Sequence, residues 1–316
     1  MKRNITLDYY RIMLSIAVIF AHFFFTMIAY NPEYIQYISD WEYDVMWVIA
    51  ELAKIVVPSF FMITGFYLDF TDKANIYKYA IRITKVYIVW ALFYLPWCGF
   101  FSNGLILAIY LFMGFYQLWY LPALAEAILL LYLLQKVIKK DQILLCIAVS
   151  LYIGGYLLQT HFSNRENILI YLYRNSIFYG LPFLIIGNVI RRKLSYFKYK
   201  LTVYHAITGL LITAIEGYMY LEDILNFDLF ISSLFVAPVI FIYLLQTGKV
   251  QETKNKDIPH VAAGIYYIHP AVLMISTKVL PLETNIVFYQ FPFVVIVSLF
   301  MTFLIIHVNK TVKIFL

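Results

Sequence analysis

Arg11 and His22 lie eleven residues apart within one apolar run near the N-terminus. On an α-helix that spacing is about three turns, within ~20° of one face and ~16 Å along the axis. Ionisable groups inside a bilayer are costly, so each is a functional candidate. Arg11 then lies near the cytoplasmic boundary and could snorkel to headgroups. His22 lies past the midplane and could bond a neighbouring helix. The sharper reading is one ligand-lined face, with a cation at its mouth and a titratable base at its far end. Imidazole is the side chain suited to proton transfer near neutral pH.

His269 precedes Pro270, a third to half of the way across another apolar run. Proline leaves a backbone carbonyl without its helical donor, and the imidazole could satisfy it or serve a reaction. Glu126 has no local partner, so a protonated packing carboxyl and a group bordering the His22 site are equally open readings. Glu51 and Lys54, three apart, are expected to pair. Glu216 reaches water at the end of its run, and His161, His205, His260 and His307 are read as interface or loop residues. No His, Cys, Asp and Glu grouping has metal-ligand spacing, so no metal is expected.

The elements that must position these groups are membrane helices. Of 316 residues, 63% are hydrophobic and 13% charged, with mean hydropathy +0.79. A soluble domain carries about a quarter charged residues. The net charge of +6 does not point to nucleic acid, because Lys and Arg fall in short runs between apolar segments. Cys98 and Cys146 lie in apolar stretches and are expected to be buried thiols, not a disulfide. Met1-Lys2-Arg3-Asn4 resembles the start of a signal sequence, but the run contains Arg11 and His22 and lacks a small-residue cleavage site. It reads as an uncleaved first helix.

About 20 apolar residues cross the hydrocarbon core. That ruler gives spans at 9–30, 45–68, 84–101, 119–138, 142–160, 174–190, 201–221, 229–247, 260–281 and 288–309, with 104–116 re-entrant or interfacial. With the N-terminus inside, the cations from Lys2 and Arg3 through Lys310 and Lys313 collect on one side, and only Arg165, Arg174 and Lys278 fall on or near the other. Acids such as Asp40, Glu42, Glu222 and Asp228 collect outside. This is the positive-inside pattern. The expected fold is an all-α polytopic membrane protein: about ten transmembrane helices in one bundle, a single domain over 1–316, both termini cytoplasmic.

Five segments in order resemble the membrane acyltransferase-3 family of bacterial envelope glycan O-acyltransferases. Leu7-Asp8-Tyr9-Tyr10-Arg11 with Ile19-Phe20-Ala21-His22 is similar to its first helix. Val57-Pro58-Ser59-Phe60-Phe61-Met62-Ile63-Thr64-Gly65-Phe66-Tyr67-Leu68 resembles a family run, with Thr64 for Ser. Gln117-Leu118-Trp119-Tyr120-Leu121 resembles another, with Gln117 for His. Phe183-Leu184-Ile185-Ile186-Gly187 and Gly264-Ile265-Tyr266-Tyr267-Ile268-His269-Pro270 match two more. The cytoplasmic Arg-x-x-Arg stands here as Arg82-Ile83-Thr84-Lys85, which loses one bidentate fork. The Ser expected before the Gly264 segment is absent.

The resemblance implies transfer of an acyl group, often acetyl from acetyl-CoA, to a hydroxyl of an envelope glycan or lipid-linked sugar across the bacterial plasma (inner) membrane. Arg11, Arg82 and Lys85 would meet the phosphates of the acyl-CoA. His22 would act as base or carry the acyl group. Tyr120 stands where a family tyrosine is suggested to take part in transfer, or is an aromatic-belt residue. Arg165 and Arg174 are loop charges or cations for an anionic acceptor. The alternative is a transporter or exporter of a lipid-linked sugar or small polar solute, its intramembrane Arg, Glu and His lining the path.

Overall fold

The computed structural model describes residues 2–29, 35, 38–97, 104–114, 116–162, 167–196, 199–221, 227–252, 257–280 and 286–316. Strand β1 (Lys2–Asn4) leads into α1 (Ile5–Phe23), whose first turn is capped by the Asn4 side chain accepting from the Leu7 N–H. A π-helical segment, Phe24–Ala29, follows directly after His22. Helix α2 (Asp40–Leu52) starts at a capping box in which the Ser39 N–H and hydroxyl both donate to Glu42. A tight turn at Ala53–Ile55 joins it to α3 (Val56–Tyr67).

Next come α4 (Lys73–Tyr94), capped by Asp72, and the ten-residue α5 (Gly104–Met113). Then follow α6 (Tyr120–Val137), α7 (Asp141–Phe162) and a second π-helical segment, Ser176–Gly180, that opens α8 (Leu181–Lys193). The chain continues through α9 (Val203–Met219), α10 (Ser233–Thr247), β2 (Val250–Glu252), α11 (Ile258–Val279) and α12 (Ile286–Val312).

Among the described residues the fold is helical apart from β1 and β2, which pair antiparallel with Lys2 opposite Glu252 and Asn4 opposite Val250. Among the described residues, six helical stretches are long and apolar enough to cross a membrane: Ile5–Thr26, Asp40–Tyr67, Gln117–Val137, Asp141–Phe162, Ile258–Val279 and Tyr289–Val312. The expected spans at 84–101, 174–190, 201–221 and 229–247 each contain helix among the described residues, but the helices are shorter or more charged. Helix α5 is about 15 Å long, half the ~30 Å core, as a re-entrant or interfacial segment would be. Cys146 corrects its expectation: it is an exposed thiol on α7, because its apolar helix turns that face outward. Cys98 lies outside the described residues.

The chain divides into two compact units. The first comprises Met1–Val56, Leu210–Asp223 and Leu244–Leu316, and the second Val57–Gly209 and Ile224–Tyr243. In the first, α11 packs against both α1 and α12. In the second, α3 and α8 meet backbone to backbone. A Cβ on Gly65 would sit 2.2 Å from the Leu184 carbonyl oxygen, and one on Gly187 would sit 2.1 Å from that of Met62. Small residues permit such approach between membrane helices, where packing and not the hydrophobic effect drives association. Asn188, held by Gln135 at 2.7 Å, donates to the Gly65 carbonyl in the same contact. At the end of α3, Arg191 donates to the Leu68 carbonyl at 2.9 Å, and Thr71 donates to Asp69, holding that carboxyl below its usual range.

Candidate active site

Helices α1 and α11 run parallel in a fixed register. Ser15 donates its hydroxyl to the Ala262 carbonyl at 3.0 Å, and two turns further on His22 Nδ1 lies 2.8 Å from His269 Nε2; both contacts join residues 247 apart in the chain. The apolar faces bring these helices together, and the two polar contacts set the register.

The tautomers of the histidine pair follow from its surroundings. His269 is fully buried, and its Nδ1 lies 2.9 Å from the Ile265 carbonyl oxygen. It also bonds the Tyr266 carbonyl, whose helical donor Pro270 removes. A carbonyl only accepts, so Nδ1 of His269 carries the hydrogen and, in the neutral ring, Nε2 presents its lone pair. His22 Nδ1 must then donate to that lone pair, and the basic lone pair of His22 falls on its own Nε2. The ring planes differ by 22° and the centroids are 5.0 Å apart. With the nitrogens at 2.8 Å, the rest of that separation is two ring radii, so the rings meet edge to edge and are not stacked face to face. A base oriented by a partner on its other nitrogen is the arrangement general-base catalysis needs.

Arg11 sits three turns from His22 on the same helix, within Ile5–Phe23, so the ~16 Å spacing holds. Its guanidinium lies 3.7 Å from the buried carboxylate of Asp8. Asp8 is the residue sequence reasoning passed over, although its i,i+3 spacing from Arg11 was visible. The pair orients Arg11 and leaves it partly exposed, with five donors to share. Glu51 and Lys54 pair as expected at 3.9 Å, and Lys54 lies over the Phe25 ring.

The remaining expected site residues belong to the second unit. Arg82 and Lys85 are exposed on α4, one turn beyond exposed Lys78, forming a single basic stripe. Tyr120 opens α6 half-buried against Phe61, ring centroids 4.7 Å apart. Glu126 is exposed on α6, which removes the reading of a packed, buried carboxyl. The structure thus brings His22 and His269 into contact, and places Arg82, Lys85, Tyr120 and Glu126 on elements of the other unit. No group of three or more potential metal ligands occurs among the described residues.

A family model described as "Acyltransferase domain" matches residues 4–307. An amino-acid racemase of Enterococcus faecalis is 24% identical over 298 residues, covering 83% of this chain and 42% of that protein. A serine/alanine racemase of Enterococcus gallinarum is 26% identical over 274 residues, covering 75% of this chain and 38% of that protein. The chain spans less than half the length of these curated relatives, and their names describe proteins of which the matched segment is the smaller part. No solved structure matches the chain.

Proposed function

The chain belongs to the acyltransferase-3 family of membrane proteins, and from that premise we propose that it is an acyltransferase that moves an acetyl group from cytoplasmic acetyl-CoA to a hydroxyl of an envelope glycan or lipid-linked sugar outside a bacterial plasma membrane. About ten spans with both termini cytoplasmic suit that traffic. The pairing of β1 with β2, and the 3.1 Å ion pair of Lys310 with Asp257, support one shared side for β1, β2, Asp257 and the end of α12. That is the side where the cations collect.

The observation that carries the reading is the His22–His269 contact. His22 Nε2 takes the proton of the acceptor hydroxyl as its oxygen attacks the thioester carbonyl. The thiolate of CoA leaves and receives that proton from His22. His269 stays neutral, accepts the His22 Nδ1–H and stabilises the imidazolium that forms between the two steps, as an orienting partner does in other nucleophile–base systems. Arg11, Arg82 and Lys85 are assigned to the phosphates of the donor. Tyr120 and Glu126 are assigned to the acceptor side of the transfer.

Proteoliposomes loaded with labelled acetyl-CoA and supplied with host envelope glycan outside test this. Wild type should label the glycan and His22→Ala should not. Equal labelling by both removes His22 from the chemistry. Label that remains on the denatured protein marks a covalent acyl-histidine in place of direct transfer. Glycan that crosses the membrane without being acylated points to the exporter instead.

A further inference from the structure

Several helix ends of the second unit meet in a basic collar. Asp141, at the start of α7, is shared by Arg192 at 2.9 Å and Lys193 at 3.5 Å from the end of α8. Arg191 of the same turn reaches Asp69, just past α3, at 3.7 Å. At the end of α6, Lys139 donates to the Gln135 carbonyl at 2.7 Å, and Gln135 in turn holds Asn188 of α8. Lys140 stands exposed beside it. Asp72 is engaged by the N–H groups of Ala74 and Asn75 at the start of α4. At this end of the unit the cations outnumber the carboxylates, and an anion would meet net positive charge.

Tyrosines lie under three of the lysines. Lys73 Nζ is 5.7 Å from the Tyr77 ring centre and Lys136 Nζ is 4.5 Å from that of Tyr132. The two rings meet edge to face at 6.2 Å, which ties the start of α4 to the end of α6. Lys193 lies 5.4 Å over Tyr196, a residue 74% exposed. Tyrosine collects at the headgroup level of a membrane, where its ring meets the tails and its hydroxyl meets water. Beside these lysines the same helices turn aliphatic side chains outward: Leu133 and Val137 on α6, Ile143 on α7, with Val137 82% exposed. Such a surface fits lipid tails, and a lysine stem lies along it while the ammonium reaches the headgroups. Arg82 and Lys85, assigned to the donor, lie more than two turns beyond Lys73 on α4, so the collar is a separate set of cations.

We propose that this collar binds the phosphate headgroups of anionic phospholipids in the leaflet it borders. The arginines and lysines donate to the phosphate, the tyrosines sit at its level, and the exposed aliphatic side chains take the acyl chains. A soluble phosphate would make only the first of these contacts. The inference rests on the chain's membership of a membrane-protein family and not on the proposed reaction, which uses none of these residues.

The full chain in neutral detergent is titrated with phosphatidylglycerol, phosphatidylcholine and glycerol phosphate, reading bound lipid by native mass spectrometry and Tm by tryptophan fluorescence. Phosphatidylglycerol should bind saturably, raise Tm and displace phosphatidylcholine, and glycerol phosphate should do none of these at the same concentration. Lys136→Gln, Lys139→Gln and Lys140→Gln combined should weaken phosphatidylglycerol about fivefold for each charge removed, the contribution of one cation near an anionic lipid surface. The same three positions changed to Arg should bind as the wild type does, which separates charge from folding. Lys249→Gln, Lys310→Gln and Lys313→Gln combined, in the first unit, should change the affinity far less. The collar is overturned by equal affinity for phosphatidylcholine or by glycerol phosphate binding as tightly as the lipid. It is equally overturned by unchanged affinity in the Lys136, Lys139 and Lys140 glutamine variant, by an equal loss in the first-unit variant, or by free CoA displacing the lipid.

Discussion

The contact between α1 and α11 and the contact between α3 and α8 both join helices that carry segments resembling the family, and they are built by opposite means. The first is held in register by hydrogen bonds, Ser15 to Ala262 and His22 to His269, at the cost of burying an imidazole completely. The second removes side chains altogether, with Gly65 and Gly187 bringing two backbones within contact. Motif resemblance weights the two alike. Burial and clearance separate them: one contact retains titratable groups that packing does not need, and the other admits no added atom. The first is where the proposed reaction is assigned, and the second is assigned the part of a scaffold.

The sharpest way to break that distinction is His22→Ala. Loss of a general base should slow acyl transfer by about 10²–10⁴-fold while leaving the protein folded, measured as labelled acetyl appearing on glycan. His269→Asn should follow with a fall in kcat of roughly 10–100-fold and an unchanged KM for acetyl-CoA, because Asn satisfies a carbonyl but does not reach His22. On the scaffold side, Gly187→Ala or Gly65→Ala should destabilise by about 1–3 kcal/mol through overpacking, read as a lower Tm, with normal turnover per folded molecule. If either alanine variant instead loses turnover at full stability, the scaffold reading is wrong. Arg82→Ala should raise the KM for acetyl-CoA about tenfold, since a lost charge-assisted bond is worth about 1.5 kcal/mol or more. The smallest effect is expected from Ser15→Ala, about 0.6 kcal/mol, the mean for a hydrogen bond between membrane helices.

Much of this was legible in composition and spacing. Each expected span contains a helical segment among the described residues, because long apolar runs have few alternatives in lipid. Arg11 and His22 keep their shared face because α1 is unbroken between them. His269 bonding the carbonyl that Pro270 frees was also readable, since both residues stand in one turn. What escaped was pairing between distant segments. Nothing local in the sequence says that His22 meets His269, that Asp228 meets Arg174, or that β1 pairs with β2, because those contacts depend on which helices become neighbours. Cys146 and Glu126 show a related limit. A helix that is apolar on every side gives no period from which to read its buried face, so both were expected inside and both are exposed.

The central claim is that His22 and His269 act as one unit. Acyl-transfer rates for His22→Ala, His269→Asn and the double variant, measured in the same proteoliposomes, test it directly. A working pair predicts strong non-additivity, the double variant being no slower than His22→Ala alone, because His269 has no function once His22 is gone. Losses that multiply would contradict the account, since each histidine would then contribute independently of the other.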